Sequence, residues 1–133
     1  MEASKVKKEG KARQRVKPTV GDDVTDYELI NQCLVIKLNK ELDHHSALVI
    51  REKTDKLIDR GTVKNIIFDF EGANFMDSSG IGVIMGRYKR VIFSGGKVAV
   101  TNVSDAIDRI LKLSGLYKII KKYSTNSDAM NSF

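Results

Sequence analysis

Apolar positions along the chain follow two rhythms. Ile66-Ile67-Phe68-Asp69-Phe70 is a β-branched and aromatic run between Lys64-Asn65 and Glu71-Gly72, the pattern of a buried strand. Beyond it, Ile81, Ile84, Met85, Tyr88, Val91 and Ile92 recur at i, i+3, i+4, i+7, i+10 and i+11, one face of a helix. Asp77, Ser78 and Ser79 stand where that helix begins, with side-chain oxygens suited to the orphan N–H groups of a first turn.

The same reading extends to both sides. Val24 to Asn31 reads as an edge strand. Gln32 to Leu38 follows it, with Leu34, Ile36 and Leu38 alternating against Val35 and Lys37, and the short polar link suggests a hairpin. Asp43 caps a helix whose inner face is Ala47, Ile50, Thr54, Leu57 and Ile58, ended by Gly61. Lys97 to Asn102 is a strand. Ser104 or Asp105 caps a third helix with core positions Ile107, Ile110 and Leu111, and Gly115 ends it. Tyr117 to Tyr123 reads as a last strand, and residues 124–133 carry only a weak signal for a short final helix. The order β-β-α-β-α-β-α-β predicts one α/β domain, a mixed and mostly parallel sheet with helices packed on it.

Charge and composition narrow the function. Of a formal charge of +6, residues 1–20 carry seven Lys/Arg and two Asp/Glu, a net of +5. The other 113 residues hold 16 (23 − 7) against 15 (17 − 2), a net of +1. The excess belongs to a basic arm, 1–20, expected to be disordered, ahead of a domain at 21–133. No direct nucleic-acid binding is expected of the near-neutral domain. A lone cysteine, Cys33, allows no internal disulfide and fits a reducing compartment. No apolar run has the length of a membrane span, and the N-terminus lacks the apolar core of a signal peptide, so a cytoplasmic protein is expected.

The second helix holds Gly80, Gly82 and Gly86 in its first three turns. Each glycine costs roughly 0.8–1.0 kcal/mol relative to alanine in a helix interior, about 2–3 kcal/mol together. Two compensations are compatible: close packing of the helix on the sheet, or close approach of another molecule.

In open α/β sheets ligands and partners gather beyond the carboxyl ends of the parallel strands. Asp43, His44 and His45 follow the second strand there, and Asp69, Glu71, Asp77 and Ser78 follow the third. Asp43, Asp69 and Asp77 could form a carboxylate cluster for Mg²⁺, although two of them serve equally as helix caps. His44 and His45 are adjacent and lack a Cys-x-x-Cys, a poor zinc set. Met76-Asp77-Ser78-Ser79-Gly80 lacks the first glycine of a Gly-x-Ser-x-Gly nucleophile elbow. The fourth reading is regulatory. Ser78 sits among small residues at a helix N-terminus, where a phosphate gains from orphan N–H groups and the helix dipole.

Phe75-Met76-Asp77-Ser78-Ser79-Gly80-Ile81-Gly82-Val83-Ile84-Met85-Gly86-Arg87-Tyr88-Lys89 resembles the signature of bacterial anti-sigma factor antagonists of the STAS domain family, nearest their sporulation branch. Glu41-Leu42-Asp43-His44-His45-Ser46-Ala47 and Leu113-Ser114-Gly115-Leu116-Tyr117-Lys118-Ile119-Ile120 extend the likeness over about residues 24–123. The resemblance implies a non-enzymatic protein without cofactor or metal. Its unphosphorylated form would bind an anti-sigma factor serine kinase and free the sigma factor. The kinase would then phosphorylate Ser78, and a metal-dependent serine phosphatase would restore it. By matching positions, Asp43, Asp77, Ser79 and Gly80 belong to the kinase-facing edge. Three departures stand out: Lys40 replaces the glycine usual before Glu-Leu-Asp, the basic arm is extra, and the C-terminal tail is short. The alternatives are a scaffold-type STAS domain of a stress-sensing complex, a transporter tail, or a Mg²⁺-dependent carboxylate-cluster phosphoacceptor or enzyme.

Overall fold

The fold was analysed in a computed structural model that describes residues 13–16 and 25–133. Six strands form one sheet in chain order: β1 (Arg13–Val16), β2 (Thr25–Ile30), β3 (Cys33–Leu38), β4 (Asn65–Asp69), β5 (Val98–Thr101) and β6 (Lys121–Tyr123). β1, β2 and β3 are antiparallel neighbours; β3 to β6 run parallel. Helices α1 (His44–Asp59), α2 (Ser78–Ile92) and α3 (Asp105–Ser114) make the crossovers, and α4 (Asn126–Ser132) closes the chain.

Each crossover advances one strand in the same direction, so right-handed connections put α1, α2 and α3 on one face. Leu34, Ile36, Ile66, Phe68, Val98 and Val100 point to that face and pack with Ile50, Ile84 and Ile107. The alternate residues Cys33, Val35, Ile67 and Ala99 point the other way, under Ala129, Met130 and Phe133 at the C-terminus. The weak signal after residue 124 is therefore a real helix, capped by Thr125, whose hydroxyl accepts the Asp128 N–H at 3.0 Å.

The hairpin between β2 and β3 turns on Asn31 and Gln32, both at positive φ (52° and 70°). That is the primed two-residue turn demanded by strand twist, made here without glycine. β1 pairs along the outer side of β2, from Arg13↔Ile30 to Val16↔Tyr27, so β2 is not an edge strand. An outer strand edge offers unpaired backbone groups that recruit such a segment. β1 falls inside the stretch read as an arm; the rest of residues 1–20, and the boundary at residue 21, lie outside the described residues.

Two further expectations need correction. The last strand does not start at Tyr117. Gly115 caps α3 at φ 81°, a 3₁₀ turn follows at Leu116–Lys118, and pairing begins only at Lys121. The turn is imposed by burial of Leu116 and Ile120, each 1% exposed. The inner face of α2 is wider than the one expected: Ile81, Ile84, Met85, Tyr88 and Val91 do pack against the core, and further residues join them. Gly80, Val83, Ile84, Arg87 and Val91 are buried, whereas Tyr88 is half-buried and Ile92 exposed. The helix packs on α1 as well as on the sheet, so its buried sector takes in the side facing α1. There the Arg87 guanidinium donates to the Arg51 carbonyl (3.2 Å), Thr54 Oγ1 (2.8 Å) and Asp55 Oδ1 (2.5 Å). Arg90 adds bonds to Asp55 (2.7 Å) and Asp59. Burial draws the Arg87 pKa below its ordinary value, against the pull of Asp55.

Candidate functional site

The starts of α1 and α2 are tied into one unit. Leu42 and Met76, both inside the core, form an isolated parallel bridge. The Leu42 N–H donates to the Phe75 carbonyl (3.0 Å), and the Asp77 N–H donates to the Leu42 carbonyl (3.2 Å). One residue past the bridge on each strand stands a cap: Asp43 for α1, Asp77 for α2. The structure thus brings Asp43, Asp77, Ser78, Ser79 and Gly80 to one edge, beyond the carboxyl ends of β3 and β4.

Each cap is locally satisfied. The Asp43 carboxylate accepts the Ser46 N–H (3.0 Å), and the Ser46 hydroxyl accepts the Asp43 N–H (3.0 Å), a reciprocal capping box. The Ser46 N–H holds the Asp43 carboxyl below its usual pKa. The Asp77 carboxylate accepts the Ser79 N–H (2.8 Å), and the Gly80 N–H donates to the Asp77 carbonyl (3.0 Å). Ser78 is the first helical residue and is exposed, and among the described residues its hydroxyl has no hydrogen-bond partner.

The three glycines separate into two kinds. A Cβ on Gly80 would lie 2.3 Å from Met76 Cγ, 2.7 Å from Met76 Sδ and 3.0 Å from Leu42 Cγ. Gly80 is required by packing onto the bridge and offers no side chain to the surface. Around Gly82 and Gly86 nothing lies within 4 Å of such an atom. These two line a groove of about 360 Å³ between α1 and α2, with Ser79 and Arg87 on their own helix and His44, Leu48 and Arg51 on α1. Sequence reasoning missed Leu48 and Arg51, although His44, Leu48 and Arg51 recur at i, i+4 and i+7, one helical stripe. It also missed Phe75, half exposed beside the bridge.

Asp69 does not join this edge. It is 3% exposed, and its carboxylate accepts the Glu71 N–H (3.0 Å), Asn102 (2.9 Å) and Asn126 (2.9 Å). It clamps the end of β4 to the loop after β5 and to α4. Two of the three carboxylates proposed for Mg²⁺ are therefore caps and the third is a buried clamp. Among the described residues no group of three or more His, Cys, Asp or Glu side chains is placed to hold a metal ion. His44 lines the groove and His45 faces solvent; among the described residues neither hydrogen-bonds to Ser78. Among those residues, too, no helix is long and apolar enough to cross a membrane.

Residues 25–129 match the STAS domain family. An anti-sigma F factor antagonist of Paenibacillus polymyxa is 40% identical over 97 residues, covering 73% of this chain and 83% of that protein. The solved structure of the anti-sigma factor antagonist SpoIIAA in its unphosphorylated form superposes with a TM-score of 0.64 at 29% identity, covering 91% of this chain and 96% of that one. SpoIIAA in its phosphorylated form, a Bacillus cell fate determinant, gives a TM-score of 0.63 at 31% identity, covering 91% and 98%.

Proposed function

This chain belongs to the STAS domain family, and from that premise we propose that it is an anti-sigma factor antagonist controlled at Ser78. In this reading the unphosphorylated protein binds an anti-sigma factor that is a serine kinase and releases the sigma factor held by it. The kinase transfers the γ-phosphoryl of ATP to the Ser78 hydroxyl, with ADP leaving, and the modified protein loses its grip. A metal-dependent serine phosphatase hydrolyses the ester and restores the first state. The chain supplies a nucleophile and a docking edge; the catalytic groups belong to its partners.

The observation that carries this reading is the Ser78 hydroxyl, exposed and unbonded among the described residues at the first position of a capped helix, beside a groove with open space at Gly82 and Gly86. A kinase active site needs such access. Phosphate adds about −1.5 to −2 charges and considerable bulk. It arrives one residue from Asp77 and across the bridge from Asp43. A partner surface fitted to a hydroxyl and two capped carboxylates then meets a crowded anionic cluster, and affinity falls without any rearrangement of the fold.

The test is the intact mass of the protein after incubation with ATP and the anti-sigma kinase of the same organism, beside Ser78→Ala. One added phosphate on the wild type and none on the variant supports the reading. Ser78→Ala should still bind the kinase, and Ser78→Asp should bind it weakly. No phosphate from a kinase active on another antagonist would refute it.

A further inference from the structure

Among the described residues six large apolar side chains stand exposed, and four of them gather at one edge: Ile92, Phe93, Leu113 and Ile119. This is the edge where the parallel strands start and α1, α2 and α3 end, opposite Ser78. Phe93 is 92% exposed and Leu113 82%, as bare as side chains in an extended strand. Their helices lead into β5 and β6, parallel neighbours in the sheet, so both helix ends fall at this edge. Scattered exposed apolar residues need no explanation; a cluster at one edge does.

The same edge is cationic. Lys64, Lys97 and Lys121 are exposed there, and among the described residues none of the three is ion-paired. Lysines in a last helical turn answer the helix dipole, but these three lie outside the α-helices. β1 also begins at this edge, Arg13 opposite Ile30, and the twelve residues ahead of it hold four lysines against two glutamates. In a domain with a near-balanced total charge, three unpaired lysines thus share the edge with the exposed apolar residues.

We propose that this edge docks on an anionic lipid surface, with Phe93 and Leu113 entering the interfacial layer while Lys64, Lys97 and Lys121 meet the headgroups. Protruding apolar side chains ringed by cations suit a fluid surface, which needs no complementary shape. Each lysine near such a surface strengthens partitioning on the order of fivefold at moderate salt. Withdrawing each apolar side chain from water adds about tenfold. Docked this way, the protein holds Ser78 and the groove toward the aqueous side, so the two surfaces operate independently.

The experiment is flotation of the full chain with vesicles of phosphatidylcholine containing phosphatidylglycerol, and with phosphatidylcholine alone. The wild type should float with the anionic vesicles only and come off as salt is raised. Phe93→Ser/Leu113→Ser changes two solvent-facing positions and should weaken partitioning by about a hundredfold. Lys97→Glu/Lys121→Glu should weaken it comparably. Flotation that survives the apolar double variant would overturn the proposal, because general attraction of the basic N-terminal residues would then suffice. Absence of flotation with either lipid would also overturn it.

Discussion

Alanine at each of the three α2 glycines separates packing from partner approach. At Gly82 and Gly86 the added methyl meets nothing within 4 Å, so the helix propensity gain should appear undiminished, about 0.8–1.0 kcal/mol per site. The double variant should gain about 2 kcal/mol, which for a domain of this size raises the thermal midpoint by roughly 6–8 °C. At Gly80 the same gain is opposed by contacts at 2.3 Å and 2.7 Å on Met76 and at 3.0 Å on Leu42. Both neighbours are buried in the core, 1% and 0% exposed. Overpacking of this kind costs about 1–3 kcal/mol, so Gly80→Ala should be net destabilised. Urea titration followed by circular dichroism gives all three values. The second assay is affinity for the proposed partner, the anti-sigma factor kinase. If a partner approaches closely here, Gly82→Ala/Gly86→Ala should bind at least about tenfold more weakly while being the more stable protein. If the double variant is more stable and binds normally, partner approach does not explain these glycines. If it is not more stable, the open space assigned to them is wrong.

Three further outcomes follow from the packing and charge of the rest of the fold. Asp55→Ala strands a buried guanidinium and should cost about 3 kcal/mol, whereas Arg87→Met leaves a carboxylate that water can reach and should cost about 2 kcal/mol; urea midpoints in the reverse order would refute the assignment of Arg87 as the buried partner. Asp108 accepts from Tyr117 Oη (2.6 Å), Lys122 (3.0 Å) and Lys112 (3.2 Å), and these partners, Tyr117 foremost, hold its pKa well below the carboxylate range. A depressed folded pKa stabilises above the unfolded value of about 3.9 and is lost as pH falls through the folded one, so Asp108→Asn should be less stable at neutral pH, with the deficit closing below about pH 4. Burial pushes the Cys33 thiol up to about 12; a thiol reagent at mildly alkaline pH should leave the native protein unlabelled and modify one cysteine per chain after unfolding.

The elements legible in the sequence were those announced by their ends. Asp43, Asp77 and Ser104 cap the helices that follow them, and Gly115 takes the left-handed conformation that stops α3. The strands at 33–38 and 65–69 needed only their apolar runs. What escaped was set by neighbours distant in sequence. Arg87 reads as a surface residue until Thr54 and Asp55, more than thirty residues away, provide its acceptors. The face of α2 was read too narrowly for the same reason, since a single period describes a helix with one burying partner, not two. The 3₁₀ turn at Leu116 arises because Leu116 and Ile120 must both reach the core across a short link. At the candidate site, Ser78 was visible from its cap, but the groove was not. It exists only where α1 and α2 lie against each other.

The bridge between Leu42 and Met76 has a temporal consequence. Two backbone hydrogen bonds tie the segments that carry both caps to each other, and Leu42 and Met76 hold them to the core, so the edge has no soft hinge that the proposed charge change at Ser78 could swing. A modification there alters the surface and leaves nothing to relax. Such a device keeps no memory. Under the proposed phosphorylation of Ser78, its output would follow the current balance of phosphate addition and removal, with no hysteresis and no lag from refolding.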